Sequence, residues 1–303
     1  MDLLSLLIHD AMYHSIPIIL CVIGGAFAYK ANVLNIALEG FMLNGAFVSV
    51  YLIHTTGSVF LGIAGAIVSC LLLGFVFSYM GVTKKGNVIV IGLAINMFVA
   101  AFAGFILKLM GTSNIVLNTY SVADMKIQIP VIDKIPLLGA LLSGHPFISY
   151  LALFLVALTW FLMYKTKLGV YVRVVGENED AAKSVGIKTN LYKYIGILIG
   201  AVTCALAGVN LSFEEMALFT NNMTAGRGFI AIAAIYCGRG NPFISALYAM
   251  IFGLARSLAV NLSIYAGPAA GLFDVIPYVT MVVVLAVVSI FKHKSNKERG
   301  FLS

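Results

Sequence analysis

Charged residues are scarce in this chain, and their scarcity excludes the commonest class of protein. Asp, Glu, Lys and Arg make up only 10% of its 303 residues, whereas they make up about a quarter of an average soluble domain. Hydrophobic residues account for 61%, and the mean hydropathy is +1.02. A soluble domain with a large core does not reach these values, so the composition predicts a polytopic membrane protein.

Motifs that carry chemistry are also missing. The sequence contains no GxxxxGK[ST] phosphate-binding loop and no GxSxG nucleophile motif, and its five histidines form no HExxH or i,i+4 pair. Gly226, Gly228 and Ala231 match the pattern GxGxx[GA], but no strand is expected before them, which argues against a dinucleotide site. We therefore expect no enzyme activity, no metal site and no cofactor in this chain.

The four cysteines show no disulfide or metal-binding pattern. Each lies inside an apolar run, and their spacing is unpaired: Cys21, Cys70, Cys204 and Cys237. We interpret them as buried thiols.

Long apolar runs recur along the chain, each close to the ~17–25 residues that a membrane-crossing helix needs. They are 11–29, 33–53, 59–80, 88–110, 146–164, 195–213, 242–262 and 273–291. A shorter apolar run, 224–237, lies between two Gly-Arg-Gly sequences. We predict an all-α fold, a polytopic membrane helix bundle of about 8–10 transmembrane helices in a single domain over 1–303.

Small residues recur at four-residue spacing in two of these runs. One row is Gly196, Gly200, Cys204 and Gly208, and the other is Ala249, Gly253 and Ser257. Such rows let helix backbones approach closely in lipid, so they predict a tightly packed bundle.

The placement of Lys and Arg predicts the orientation. If the loop 165–193 and the basic tail 292–303 lie in the cytoplasm, most of the basic residues fall on that side. The loop 111–146 and the pair Glu214 and Glu215 then fall outside. Because this follows the positive-inside rule, we assign the net charge of +7 to membrane topology and expect no nucleic acid partner.

The loop 165–193 contains a short helix with its own start and stop signals. Asn178 is a good N-cap, and acidic residues follow it at the positive end of the helix dipole. Gly186 supplies a left-handed stop. About two turns of helix are too short to be stable alone in water, so we expect this helix to pack against another protein.

Five residues at membrane depth are candidates for a translocation path: Glu39, Asn44, Asn96, Arg227 and Phe229. Intramembrane polar residues are costly and often functional. Each has a plainer interpretation. Glu39 would satisfy broken backbone or pair with a basic residue, the two asparagines would bond neighbouring helices, and Arg227 would extend to the interface. Phe229 would be an ordinary interfacial aromatic residue.

Three segments resemble permease subunits of bacterial ATP-binding-cassette (ABC) importers, in the family that serves branched-chain amino acids, ribose-type sugars and nucleosides. Residues 35–42 are similar to the family's N-I-G-x-E-G-x-M segment, which is strongest in the nucleoside-type branch, although Ala37 stands where Gly is frequent. Residues 175–187 resemble the loop G-E-N-x-x-A-A-x-x-x-G-I. Residues 226–234 resemble G-x-G-F-x-x-I-A, followed by Gly-x-x-Asn-Pro.

The resemblance implies a transporter of several subunits, in which this chain forms the translocation path for the substrate and another subunit hydrolyses ATP. The loop helix would be a cytoplasmic coupling helix that docks on an ABC ATPase subunit, which holds ATP and Mg. Its coupling residues would be Gly176, Glu177, Asn178, Ala181, Ala182, Val185, Gly186 and Ile187. Ala181, Ala182, Val185 and Ile187 would form its apolar docking knob.

Other expected partners are a second, related permease chain and an extracytoplasmic substrate-binding lipoprotein docked around 111–145 and 214–222. The expected location is the bacterial cell membrane, with multiple passes through the lipid bilayer. The favoured small-molecule substrate is a purine nucleoside; riboflavin, a ribose-type sugar and a branched-chain amino acid stay open. An ion-coupled secondary transporter or a channel is the alternative from another class.

Overall fold

A computed structural model describes residues 3–128, 139, 141, 143–265 and 267–300 of the chain. Part of the predicted outer loop 111–146 and the last three residues of the predicted tail lie outside these residues. The helices, in chain order, are α1 (Leu3–Lys30), α2 (Leu38–Thr56), α3 (Val59–Ser78), α4 (Val88–Leu109), α5 (Phe147–Lys165), α6 (Lys167–Glu177), α7 (Glu179–Ser184), α8 (Thr189–Val209), α9 (Arg227–Cys237), α10 (Pro242–Tyr265) and α11 (Ile276–Gly300). Helices α3 and α8 each end in a π-helical turn, Tyr79–Thr83 and Asn210–Glu214, and a 3-10 segment, Gly267–Val275, precedes α11.

Seven of the described helical segments are long and apolar enough to cross a membrane. They contain α1, α3, α4, α5, α8, α10 and the first part of α11. Helix α2 adds a buried 19-residue helix, and α9 adds a shorter apolar helix of 11 residues. The described residues thus form an all-α helix bundle with the long apolar helices of a polytopic membrane protein, as predicted.

Helix α1 is the centre of the bundle. It packs mainly against α8 and α10, and its side chains from Ile16 to Ile23 are almost fully buried. The small-residue rows make this packing possible, as predicted: a Cβ on Gly24 would lie 2.5 Å from the Cα of Gly200. By contrast, α3, α4 and α11 expose large apolar side chains such as Phe60, 79% exposed, which suit contact with lipid.

The second predicted span is wrong at its start, because residues 31–37 are not helical. Asn32 has a left-handed φ of 57°, and the Asn35 side chain accepts a hydrogen bond from the Ala37 N–H at 3.1 Å. Helix α2 therefore begins at Leu38, beside Gly92 and Asn96 in the first turns of α4. Hydropathy did not locate this break, because five of the seven residues in 31–37 are apolar.

The two ends of the bundle differ in character. Two short antiparallel ribbons lie at one end, which we call the ribbon end: β1 (Asn114–Val116) with β4 (Leu218–Thr220), and β2 (Lys126–Ile127) with β3 (His145–Pro146). Lys30, α6, α7 and the turn between α9 and α10 gather at the opposite end, the basic end. By the charge distribution, the basic end is the predicted cytoplasmic side.

Candidate functional site

The predicted loop 165–193 contains two consecutive helices, of which only the second was predicted. It also contains the first turn of α8, because that helix begins at Thr189 and not at the predicted residue 195. Helix α6 begins after Thr166, whose hydroxyl accepts a hydrogen bond from the Gly169 N–H at 3.4 Å. The start and stop of α7 are confirmed: the Asn178 side chain accepts from the Ala181 N–H at 2.9 Å, and Gly186 has a φ of 80°. We call residues 166–187 the α6–α7 unit.

The outward face of α7 differs from the predicted apolar knob at one residue. Ala182 is fully buried within the chain, so it packs inward and is not part of an exposed surface. Val185 is 73% exposed, Ala181 and Gly186 are also exposed, and Ile187 is half-buried. Val185, which follows this helix of six residues, is the most exposed large apolar side chain of the α6–α7 unit.

Helix α6 rests directly on the end of α1 through Gly176. A Cβ added to Gly176 would overlap the carbonyl oxygen of Lys30 and lie 3.1 Å from the backbone nitrogen of Asn32. Only glycine allows this approach. Glu177 and Asn178, the next two residues, are exposed to solvent. The first contact between the α6–α7 unit and the bundle is therefore a backbone-to-backbone one.

Glu179 makes the second contact, between α7 and α8. Its carboxylate lies 2.5 Å from Lys193 Nζ and 2.8 Å from Lys183 Nζ, and it accepts a hydrogen bond from the Thr189 hydroxyl at 3.4 Å. Hydrogen bonds from Lys183 and Lys193 lower the pKa of Glu179 from 4.5 to about 2. Because the folded-state pKa is depressed, this contribution to stability is present above pH 4.5 and is lost only as the pH falls through about 2.

Two open cavities flank the α6–α7 unit at the basic end. The first has a volume of about 490 Å³ and lies between α6 and the end of α1. The second has a volume of about 650 Å³ and lies beneath α7. Its lining comprises Asn32, Val33, Gly81, Val82, Lys85, Val88, Glu179, Asp180, Lys183, Asn190 and Lys193. The α6–α7 unit thus borders two open cavities beside these contacts with the bundle.

Inside the bundle, the Glu39 carboxylate caps the N-terminus of α9. Its two carboxylate oxygens accept hydrogen bonds from the Gly226 N–H at 2.9 Å and the Gly228 N–H at 2.6 Å. Glu39 is only 7% exposed, and a Cβ on Gly228 would lie 2.5 Å from its backbone nitrogen. Of the two interpretations of Glu39, satisfying broken backbone is the one that this geometry matches.

The two candidate asparagines join neighbouring helices. The Asn96 side chain accepts from the Gly40 N–H at 2.8 Å and donates to the Ile36 carbonyl at 3.0 Å, so it spans the break before α2. Asn44 donates to the Ser69 hydroxyl at 2.8 Å and so ties α2 to α3. Both amides hold the walls of the bundle in place, and their direct contact with a substrate stays a prediction.

Arg227 and Phe229 lie in the first turn of α9, on opposite sides. Arg227 is 5% exposed and donates to the carbonyls of Met223 at 2.9 Å and Thr224 at 3.3 Å, so it does not extend to the membrane interface. Phe229 is 39% exposed. Of the five path candidates, Phe229 presents the largest exposed surface.

Sequence reasoning missed the role of the acidic pair after α8. Glu214 and Glu215, predicted to belong to an outer docking loop, are both buried. The Glu214 carboxylate accepts from the Ile148 N–H at 3.2 Å and from the Asn210 amide at 2.8 Å, so it caps the start of α5. An acidic pair directly after an apolar run could have signalled such a cap. The exposed residues of this segment are instead Met216, Asn221 and Asn222.

Comparison with known proteins gives consistent matches over most of the chain. Residues 7–285 match the family model described as the branched-chain amino acid transport system permease component. The guanosine ABC transporter permease protein NupQ of Bacillus subtilis strain 168 is 32% identical over 291 residues, covering 92% of this chain and 88% of that protein. The nucleoside ABC transporter permease protein NupC of Lactococcus lactis strain MG1363 is 29% identical over 297 residues, covering 93% and 92%.

A solved structure shares the fold. It is a metal-chelate type ABC transporter in an inward-facing conformation, with a TM-score of 0.54 at 14% identity, covering 92% of this chain and 84% of that one. At this identity the likeness concerns the arrangement of helices alone.

Proposed function

The chain belongs to the permease family of branched-chain amino acid-type ABC importers, and we propose that it carries a purine nucleoside across the membrane in a complex driven by a partner ATPase. As a permease subunit it forms the membrane path, and ATP and Mg are held by the partner. A second permease chain completes the complex. The path candidates Glu39, Asn44, Asn96, Arg227 and Phe229 lie on or beside the helices that meet at the start of α9.

The observation that carries this proposal is the exposed apolar face of the α6–α7 unit. Val185 is 73% exposed at the predicted cytoplasmic end, directly after a helix of six residues. A helix this short has no independent stability, so it gains a defined position from its two contacts with the bundle. We therefore expect α7 to move together with a docked partner and to pass that movement to the bundle.

The ribbon end suits the delivery of substrate. Val116 and Met216 are 41% and 43% exposed there, next to the exposed amides of Asn221 and Asn222. A binding lipoprotein would contact a surface that the antiparallel pairing of β1 with β4 holds in shape. Such mixed apolar and amide surfaces are ordinary for transient protein contacts.

The substrate is inferred from the relatives and from Phe229. The relatives at 32% and 29% identity are named for guanosine and nucleoside transport. The exposed phenyl ring of Phe229 follows the Gly226 and Gly228 N–H groups that bind Glu39. Such a ring can stack on a flat purine base, as aromatic side chains generally do. A path that is mainly apolar, with a few amides, suits a neutral nucleoside.

The experiment is guanosine uptake by the complete complex in vesicles, together with co-purification of the ATPase. We expect wild-type uptake to be competed by purine nucleosides and not by riboflavin, ribose or leucine. We expect Val185→Asp to lose both the ATPase and at least ~90% of uptake, because a charge on the apolar docking face is costly to desolvate.

The matched control is Val116→Asp, the same change on an exposed valine at the ribbon end, which should keep the ATPase bound. Normal uptake by Val185→Asp would contradict the docking assignment. Uptake driven by an ion gradient without any ATPase would instead support a secondary transporter.

A further inference from the structure

We propose that Glu179 is a positioning residue that links the coupling helix α7 to the membrane helix α8, so that displacement of α7 by the ATPase becomes displacement of α8. This inference rests on the proposed function. It assigns to Glu179 a role separate from docking, since Glu179 points toward the bundle whereas Val185 points away from it.

The two carboxylate oxygens of Glu179 each pair with a different lysine. Both of its carboxylate oxygens are engaged: Oε2 with Lys193 Nζ at 2.5 Å, and Oε1 with Lys183 Nζ at 2.8 Å. Lys183 belongs to α7 itself, four residues on, so that pair only stiffens the helix. Lys193 belongs to α8, and its side chain is only 15% exposed. The Glu179–Lys193 pair is therefore a charged contact that joins two separate elements.

An open cavity lies beside this ion pair. The cavity of about 650 Å³ beneath α7 is lined by Glu179, Lys183 and Lys193 on one side and by Lys85 and Val88 on the other. Two further groups lie between α7 and the bundle: the buried methyl group of Ala182, and the Thr189 hydroxyl, which donates a hydrogen bond to Glu179 at 3.4 Å. A displacement of α7 can therefore reach α8 through the contacts of Glu179 with Lys193 and Thr189, through the connection 185–188, and through α6, which packs on α8.

Helix α8 can carry that force to the other end of the molecule. It packs along α1, where Gly196 contacts the Phe27 backbone and Gly200 contacts the Gly24 backbone. It ends in the π turn Asn210–Glu214, and the Glu214 carboxylate accepts a hydrogen bond from the Ile148 N–H in the first turn of α5, near the ribbon end. A shift of the Lys193 end of α8 thus acts on helices that span the whole bundle.

Asp180 provides a matched control one residue away. It lies in the same first turn of α7, but its side chain is 97% exposed, its oxygen lies 3.8 Å from Lys183 Nζ, and among the described residues no ion pair joins it to α8. Asp180→Asn and Glu179→Gln remove the same charge from the same helix dipole. Only Glu179→Gln removes the link to Lys193.

The experiment measures guanosine imported per ATP hydrolysed by the complete complex in vesicles, alongside the amount of ATPase that co-purifies. We expect Glu179→Gln to retain the ATPase and to lower guanosine imported per ATP about twofold to fivefold, because a partly exposed ion pair is worth about 0–1 kcal/mol. Lys193→Met should do the same, and the double variant should be no worse than either single variant. Lys193→Arg, which keeps the charge, and Asp180→Asn should stay close to wild type.

Three results would overturn the link: a wild-type ratio in Glu179→Gln, additive losses in the double variant, or loss of the ATPase from Glu179→Gln, which would make Glu179 a docking residue. Failure of the proposed function would look different, because the wild-type complex itself would then bind no ATPase or import no nucleoside.

Discussion

Two carboxylates in this molecule each lie beside the start of a helix, and they are used in opposite ways. Glu39 is 7% exposed, and its partners are two backbone N–H groups at the start of α9. The Glu179 side chain is 36% exposed, and its partners are the side chains of two lysines and of Thr189. The first joins elements inside the bundle, and the second joins the α6–α7 unit to the bundle at its surface.

The difference follows from the surroundings of each charge. A buried carboxylate must have its hydrogen bonds made, because leaving it or its donors unsatisfied is expensive. An exposed ion pair is typically worth about 0–1 kcal/mol, because water and salt screen it. Glu39 therefore fixes a joint, whereas Glu179 makes a contact that can adjust without unfolding the protein.

The largest expected effect is at the buried joint. Glu39→Leu should lower the free energy of unfolding by about 3 kcal/mol or more, because two charged hydrogen bonds are lost and two buried N–H groups are left unsatisfied. The measurement is the melting temperature in detergent, followed by labelling of the buried cysteines with a thiol-reactive dye on heating.

Glu39→Gln is the control, since its remaining acceptor oxygen should preserve part of the stability. If Glu39→Leu melts at the wild-type temperature, the fixed-joint interpretation is wrong.

A pair of glycine substitutions sharpens the comparison. Gly228→Ala places a methyl group 2.5 Å from the Glu39 backbone nitrogen, and overpacking of this kind costs about 1–3 kcal/mol. Gly176→Ala places a methyl group that overlaps the Lys30 carbonyl, so that α6 must shift away from the end of α1. We expect the first to lower the melting temperature strongly, and the second to reduce guanosine uptake with a smaller change in melting temperature.

Gly271→Ala is the control for both, because nothing lies within 4 Å of its added Cβ. Equal losses of stability in Gly176→Ala and Gly228→Ala would remove the distinction between a fixed joint and an adjustable contact.

The smallest expected effect is at the cap of α7. Asn178→Ala removes the acceptor for the Ala181 N–H, which should cost about 1 kcal/mol of local helix stability. Hydrogen exchange at Ala181 should accelerate, while the melting temperature of the protein stays unchanged. Asn178→Asp keeps an acceptor oxygen and should exchange like wild type; unchanged exchange in Asn178→Ala would show that the α8 contact alone orders α7.

Local signals predicted much of this architecture correctly. The apolar runs predicted the membrane helices, Asn178 and Gly186 predicted the limits of α7, and the small-residue row on α8 predicted its close packing. These succeed because helix capping, left-handed glycines and hydrophobic length depend on neighbours in sequence. Helix α6 was missed because its charged, mixed composition carries no membrane-length pattern.

Contacts between distant segments were not predictable in the same way. The sequence offered Glu39 two interpretations, and only the folded chain brings Gly226 and Gly228 to its carboxylate. Ala182 was assigned to the docking knob because its methyl group looks like that of Ala181, yet the direction of α7 against the bundle buries it. Glu214 likewise became a helix cap only once α5 was placed beside it.

By itself, the sequence determined that this protein is a membrane helix bundle of the ABC permease family and that a short capped helix projects from it. Those properties depend on composition, on spacing along the chain and on motifs that do not require the fold. The tertiary structure decided which face of that helix is exposed, which carboxylate is fixed and which is adjustable. It decided them because burial and hydrogen-bond partners are set by the approach of residues that lie far apart in the chain.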